Sequence, residues 1–331
     1  MTDKTAPAGA DEKYYRPQLG LHALTPHYWP TWLIIALLRV RIWLPARFSC
    51  ALGAALGFLM YVVNSKRRRV AHINLKLCFP ELGKAERGRV LRQHFFATGR
   101  SYLDLGLLAW ASERRLAETV RVVGLERLYE FTNRNQGVIL VAPHCLGMNV
   151  AGVALAKHCR FFSMVKAQRN PLVNWLLNKG RTRFGAAMLL RQAGLRAVIR
   201  RLNAGMVFYY LPDEDFGPRH SVFAPFFGVP TATLTTVGRL AKLGRAAVLP
   251  CLSRLLPDGK GYEVTLEAPL ENFPTVSAEA DAARINQAFE RAIRTMPEQY
   301  LWTFKIFKTR PHGERDPYAP DAAGGARTTA P

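Results

Sequence analysis

Between residues 120 and 266, short apolar runs rich in β-branched residues alternate with segments of helical periodicity. No other feature narrows the possible folds as much. Strands are expected at 120–123, 137–142, 160–165, 187–190, 206–211, 247–251 and 262–266. Helices are expected between them at 125–133, 151–157, 170–184, 195–203 and 234–243, with a final helix at 281–294. A strand that returns through a helix runs parallel to its predecessor, so the reading is an α/β fold with a mostly parallel central sheet and helices on both faces. The stretch from about 80 to 118 reads as helical from Pro80 onward, with Leu91, Phe95, Phe96, Tyr102 and Leu103 at roughly helical spacing.

The second of these strands carries the chemistry. Val138-Ile139-Leu140-Val141-Ala142-Pro143 is free of charge, as expected of a strand buried on both faces, and His144 follows it at once. In open α/β sheets, ligands bind beyond the C-terminal ends of the strands. An imidazole there can serve as a general base near neutral pH. Gly147 permits a tight turn. The neighbouring thiol of Cys145 points away from its histidine and is set aside as a rival nucleophile. Asn149 lies five residues beyond His144. That spacing falls off one face of a continuous helix, but a loop that turns into a helix can bring the two together.

Two further blocks follow strands. Lys166 and Arg169, with Arg181 at the far end of the next helix, suit a clamp on a phosphate or carboxylate, or else form a solvated basic face. Asp213-Glu214-Asp215 is an acidic triplet in a basic chain. It is suited to bind a cation, to pair with the arginines or to orient a histidine, or else it forms an Asx-rich turn. Phe223, Phe226 and Phe227, in an expected loop, line an acyl groove or pack in the core, and the sequence leaves both open.

The chain has 331 residues, 49% of them hydrophobic, enough for a sizeable core and against wholesale disorder. A formal net charge of +22 points to an anionic membrane, nucleic acid, or an acidic protein or substrate. Nucleic acid fits least: no helix-turn-helix or RNA-binding motif occurs, and the aromatic residues sit in apolar blocks away from the basic ones. Five scattered cysteines without a CxxC spacing suggest neither disulfides nor zinc.

Four regions are expected: a polar lead at 1–27 without signal-peptide character, a membrane-associated helical segment at 28–70, an α/β domain at 71–311, and a disordered tail at 312–331. The second region holds two apolar runs, 29–44 and 48–65, bracketed by arginines, with Trp29 and Trp32 near one edge and Lys66-Arg67-Arg68-Arg69 closing the second. They read as a membrane hairpin or single anchor facing the cytoplasm, with two buried helices of a soluble core as the alternative. Gly53 and Gly57 give a GxxxG spacing, a sign of close helix packing.

Taken in order, these blocks resemble the late acyltransferases of lipid A biosynthesis, within the glycerolipid acyltransferase superfamily. The resemblance covers about residues 28–315. It is carried by Asn74-Leu75-Lys76-Leu77-Cys78-Phe79-Pro80-Glu81-Leu82, Arg169-Asn170-Pro171, Pro212-Asp213-Glu214-Asp215-Phe216-Gly217, Pro225-Phe226-Phe227-Gly228, Pro297-Glu298-Gln299-Tyr300-Leu301-Trp302 and Phe307-Lys308-Thr309-Arg310-Pro311. It implies an enzyme at the cytoplasmic face of the inner membrane that moves an acyl chain from acyl carrier protein to a hydroxyl of a lipid A precursor, without metal or bound cofactor.

The family signature is a histidine, four residues, then Asp or Glu. His144 matches it as base and Asn149 stands where the acid belongs, as its orienter. Lys166, Arg169, Arg181, Asp213 and Asp215 are the candidate substrate contacts. The missing charge admits three readings: a His144–Asn149 pair working at some loss, Asp213 or Asp215 serving His144, or a weakly active or repurposed paralogue. The repurposed protein would acylate another amine or lipid, or only bind membrane. The His-Arg-Arg often found after the last tryptophan is here Phe304-Lys305-Ile306.

Overall fold

A computed structural model describes residues 14–44 and 46–320. The N-terminal part is helical: α1 (Trp29–Arg41), α2 (Ala46–Val63), α3 (Ser65–Cys78), α4 (Lys84–Leu103), α5 (Leu105–Trp110) and α6 (Glu113–Thr119). The alternation then begins, with β1 (Val120–Val123), α7 (Leu125–Thr132), β2 (Val138–Val141), α8 (Met148–Leu155), β3 (Phe161–Val165), α9 (Pro171–Arg181), β4 (Ala187–Leu190), α10 (Gly194–Asn203) and β5 (Val207–Tyr210). A hairpin of β6 (Ser221–Phe226) and β7 (Val229–Leu234) precedes α11 (Thr236–Gly244), β8 (Ala247–Leu255), β9 (Tyr262–Leu266) and α12 (Ala278–Thr295).

Seven strands form the central sheet in the order β1-β9-β8-β2-β5-β3-β4. The five from β8 to β4 are parallel; β9 pairs antiparallel with β8 and parallel with β1. The expected α/β class and mostly parallel sheet are therefore present. Alternation within the strands explains their lack of charge. Ile139 and Val141 of β2 point into one core with Phe162, Phe208 and Val248, whereas Val138 and Leu140 point into the other with Phe161, Val207 and Leu249. Both faces of β2 are covered, so a charge on either would be buried.

Residues 223–233, expected as a loop, form the β6–β7 hairpin instead. Phe227 and Gly228 both have positive φ (51° and 75°), the backbone of a two-residue turn whose twist matches its strands. Pro225 and Pro230 face each other in the register of a two-stranded ribbon, where a missing N–H is tolerated. Phe226 and Phe227 are buried against Phe79, Tyr300 and Trp302, while Phe223 stays partly exposed. The core reading therefore holds for the first two.

The GxxxG spacing has a direct counterpart. A Cβ on Gly57 would lie 2.3 Å from the Phe95 carbonyl oxygen, and one on Gly99 would lie 2.3 Å from the Gly53 carbonyl oxygen. Backbones of α2 and α4 touch, which only glycine permits. The opposite faces are bare: Trp29, Leu33 and Leu37 on α1 and Phe48, Leu59 and Val63 on α2 are exposed apolar side chains. Among the described residues no single helix is long and apolar enough to cross a membrane. Phe48–Val63 and α3 meet that criterion only as a pair bent by 94°.

The expected lead and tail lie partly outside the described residues. Where described, they pack. Tyr15 N–H donates to the Met188 carbonyl of β4 (2.8 Å), and the Trp32 indole donates to the Ala23 carbonyl (2.8 Å). Residues 312–320, expected to be disordered, bring in Tyr318, a buried side chain whose hydroxyl donates to Asn74 Oδ1 (2.5 Å).

Candidate active site

The parallel pairing of β2 and β5 aligns Val141 with Tyr210. Each strand is followed by an apolar residue and a proline, and the third residue past each strand end is polar: His144 after β2 and Asp213 after β5. Equal offsets from a shared register deliver the two side chains to the same point on the C-terminal edge of the sheet. Nδ1 of His144 lies 2.5 Å from Asp213 Oδ1, and the His144 backbone N–H donates to Oδ2 at 2.7 Å. A carboxylate can only accept, so Nδ1 carries the proton and Nε2 is the free ring nitrogen. Glu214 Oε1 lies 3.7 Å from Nε2, and Glu214 is itself held by Arg191 at 2.9 Å.

His144 is 11% exposed and Asp213 7%. Burial alone would depress the imidazole pKa. The charge and hydrogen bond of Asp213, with Glu214 behind, outweigh burial and hold it above its ordinary value. Tyr300 also reaches Asp213; burial, then the Asp213 charge, push its phenol well up, so it remains a neutral hydroxyl.

The C-terminal blocks brace the loop that carries His144. Cys145 bridges to Tyr300, Leu301 N–H donates to the His144 carbonyl (2.9 Å), and Leu146 N–H donates to Gln299 (2.9 Å). Phe304 packs its ring 5.2 Å from the imidazole. Asn74, fully buried on α3, donates to the carbonyls of Trp302 (2.6 Å) and Phe304 (2.7 Å) and so fixes that segment. The Asn74 block and the Pro297–Trp302 block therefore have a shared structural reason.

Asn149 is not where the sequence-based reading needs it. It falls in the first turn of α8, and its Oδ1 accepts two hydrogen bonds from Arg181, from Nε at 3.0 Å and Nη2 at 2.9 Å. As a correction, Asn149 is the partner of Arg181 and not of His144, whose Nδ1 belongs to Asp213. The spacing from a β-strand end into a helix carries residue 149 around the turn made by Gly147, away from the imidazole. Arg181 sits in the last turn of α9, and burial lowers its pKa to about 10, leaving it cationic at neutral pH.

The remaining candidates separate by role. Lys166 and Arg169 are exposed on the β3–α9 loop and form no ion pair among the described residues. Asn170 caps α9, accepting from Leu172 N–H (2.9 Å) and Val173 N–H (3.3 Å), with Pro171 at the first helical position. Asp215 is engaged within the fold: its carboxylate accepts from Gly217 N–H (2.9 Å), Thr309 N–H (2.6 Å) and the Thr309 hydroxyl (2.7 Å), tying the acidic loop to the last block. Glu214 belongs to the acidic triplet and Tyr300 to one of the resemblance blocks, but neither has a role of its own in the sequence-based reading, and Arg191 was not singled out at all. The shared offset after paired strands was a signal for Asp213; nothing local marks Arg191.

Residues 16–309 match the family described as bacterial lipid A biosynthesis acyltransferase. The chain is 35% identical over 298 residues to a lipid A biosynthesis lauroyltransferase of Escherichia coli (strain K12), covering 90% of this chain and 97% of that protein. It is 33% identical over 307 residues to a lipid A biosynthesis myristoyltransferase of the same organism, covering 92% of this chain and 94% of that protein. A lipid A biosynthesis acyltransferase of Haemophilus influenzae is 33% identical over 301 residues.

Proposed function

Because the chain belongs to the bacterial lipid A biosynthesis acyltransferase family, we propose that it transfers a fatty acyl chain from acyl carrier protein to a hydroxyl of a lipid A precursor. The reaction would take place at the cytoplasmic face of the inner membrane. The observation that carries this reading is the His144–Asp213 pair, with Nδ1 anchored at 2.5 Å. Nε2 takes the proton of the acceptor hydroxyl as its oxygen attacks the thioester carbonyl. The tetrahedral adduct collapses, the carbon–sulfur bond breaks, and the imidazolium returns the proton to the departing thiolate. Asp213 stays ionised and stabilises the imidazolium, the work of the acid in a Ser-His-Asp triad.

Asn149 gives no reason to expect a weakened base, since the charge beside His144 comes from Asp213. Its neutral carbonyl holds Arg181 without cancelling the guanidinium charge. That cation, with Lys166 and Arg169, is available to an anionic substrate; a phosphorylated saccharide lipid and an acidic carrier protein both fit a chain of net charge +22. Donor and acceptor are the only reactants, and the scheme uses no metal or bound cofactor. The exposed apolar faces of α1 and α2, with Lys66–Arg69 behind them, suit insertion into one leaflet and contact with anionic headgroups.

Lipid A mass spectrometry on a strain lacking this gene, complemented with wild type or His144→Ala, tests the reading. A missing secondary acyl chain should return with wild type alone; full restoration by His144→Ala refutes the assignment. Transfer in vitro from acyl carrier protein but not from acyl-coenzyme A would establish the donor.

A further inference from the structure

A second polar site lies away from His144, where the α1–α2 turn meets α4, α6 and the start of β9. The sheet order puts β9 two strands from β2. Here Arg41, Arg100 and Arg115 surround a cavity of about 70 Å³ that Asp104, Tyr262 and Ser49 also line. That volume is several times what one water needs.

Asp104 is buried and fully used: Oδ1 pairs with Arg41, and Oδ2 accepts the Tyr262 hydroxyl at 2.5 Å. A structural ion pair would need no more than that. Yet Arg41, with a side chain 8% exposed, buries its Nε with no hydrogen-bond partner among the described residues. Arg100 stands 3.9 Å from Asp104 Oδ2 and spends one Nη on the Leu256 carbonyl (3.1 Å). The guanidinium of Arg115 has a single hydrogen bond among the described residues, a marginal one of 3.5 Å to Leu44. Three guanidiniums thus face one carboxylate, and an orphaned buried donor is costly unless something accepts from it.

We propose that this cavity binds the phosphate group of a ligand. Phosphate offers several acceptor oxygens to the forked donors of arginine and neutralises the surplus cations. The surroundings favour a lipid phosphate. Trp43, two residues past Arg41, and Phe48, just before Ser49, are strongly exposed apolar side chains next in sequence to residues that line the cavity. They would cover the acyl chains of a lipid whose head group enters the cavity. The site is separate from the acyl-transfer reading and stands whether or not His144 is the base.

The test is calorimetric titration of the full chain in a neutral detergent. The probes are dihexanoyl phosphatidic acid, dihexanoylglycerol, which lacks the phosphate, and inorganic phosphate. The expected result is one saturable site per chain for the phosphatidic acid and none for dihexanoylglycerol. Arg115→Gln and Arg100→Lys should each weaken binding at least tenfold, while Arg134→Gln, an exposed residue just past α7, leaves it unchanged. Phosphate binding at least tenfold weaker than the phosphatidic acid assigns the site to a lipid head group; equal affinity assigns it to free phosphate. The proposal is overturned if no stoichiometric binding occurs, if both pocket variants bind like wild type, or if Arg134→Gln weakens binding as much as Arg115→Gln.

Discussion

Asp213→Asn is the substitution that most directly challenges the proposed base. In the wild-type chain the carboxylate accepts two hydrogen bonds from His144, 2.7 Å from the backbone N–H and 2.5 Å from Nδ1. An amide offers one acceptor and one donor to the same two N–H groups, so one contact must become donor against donor. If the amide oxygen turns to the backbone, its NH₂ faces the ring. Nδ1 then loses its proton and Nε2 gains one, a tautomer that cannot accept a proton from a hydroxyl. If the oxygen turns to the ring, the tautomer survives but the imidazolium loses its counter-charge.

A hydrogen bond to a charged group contributes about 1.5–3 kcal/mol, and each pKa unit of lost charge stabilisation adds about 1.4 kcal/mol. With one such unit these give roughly 3–4.5 kcal/mol, or about 10²–10³ in rate. The equivalent change in serine proteases, about 10⁴, lies above that range. The assay is kcat/KM for transfer from acyl carrier protein across pH 6–9. The base must be neutral, so wild-type activity should climb with pH through the raised imidazole pKa. With the carboxylate gone, the climb should move to lower pH. A loss below tenfold with an unmoved climb would refute the pairing of Asp213 with the base.

Other expectations follow from separate parts of the molecule. Asn149→Asp puts a carboxylate against Arg181 at about 3 Å; the pH profile should keep its shape, and KM for the anionic substrate should rise several-fold as the cation is cancelled. An acidward or alkaline displacement of the profile would mean that residue 149 acts on His144 after all. Gly57→Ala forces a methyl to within 2.3 Å of the Phe95 carbonyl and should destabilise the protein by about 2 kcal/mol or more, read as a lower urea midpoint. His94 is buried with Nδ1 on the Glu298 carbonyl, and burial lowers its pKa from 6.5 to about 4. The unfolded chain therefore takes up a proton first: stability is intact above pH 6.5 and falls by up to about 3 kcal/mol as pH drops to 4. His94→Gln should remove that slope from urea titrations run against pH. Replacing Leu33 and Leu37, both strongly exposed on α1, with lysine should weaken binding to neutral vesicles at least tenfold if that face enters a leaflet.

The contrast between Asp213 and Asn149 shows what the sequence could and could not convey. Strand periodicity is local: covering β2 on both faces excludes charge from Val138–Val141, so the strand and the histidine at its end were legible from a dozen residues. The helices between the strands were legible for the same reason, within a few residues at their ends, whereas α3 was not and the stretch 80–118 resolves into three helices. Lost in one dimension was which strand lies beside β2. The neighbour proved to be β5, some seventy residues on, and only that adjacency turns the equal offsets of His144 and Asp213 into a 2.5 Å contact. Linear proximity pointed first to Asn149, with Asp213 or Asp215 only as an alternative; Asn149 is five residues away but is carried around a turn and onto Arg181. The β6–β7 hairpin was hidden differently, because Pro225 and Pro230 have opposite meanings in a solitary strand and in a ribbon. Charge told the same story at larger scale. A surplus of +22 predicted anionic partners, yet the gathering of Arg41, Arg100 and Arg115 around one cavity depends on three helices meeting and left no trace in their spacing. Local physics fixes where side chains begin; the order of strands and the crossing of helices decide which of them share a site.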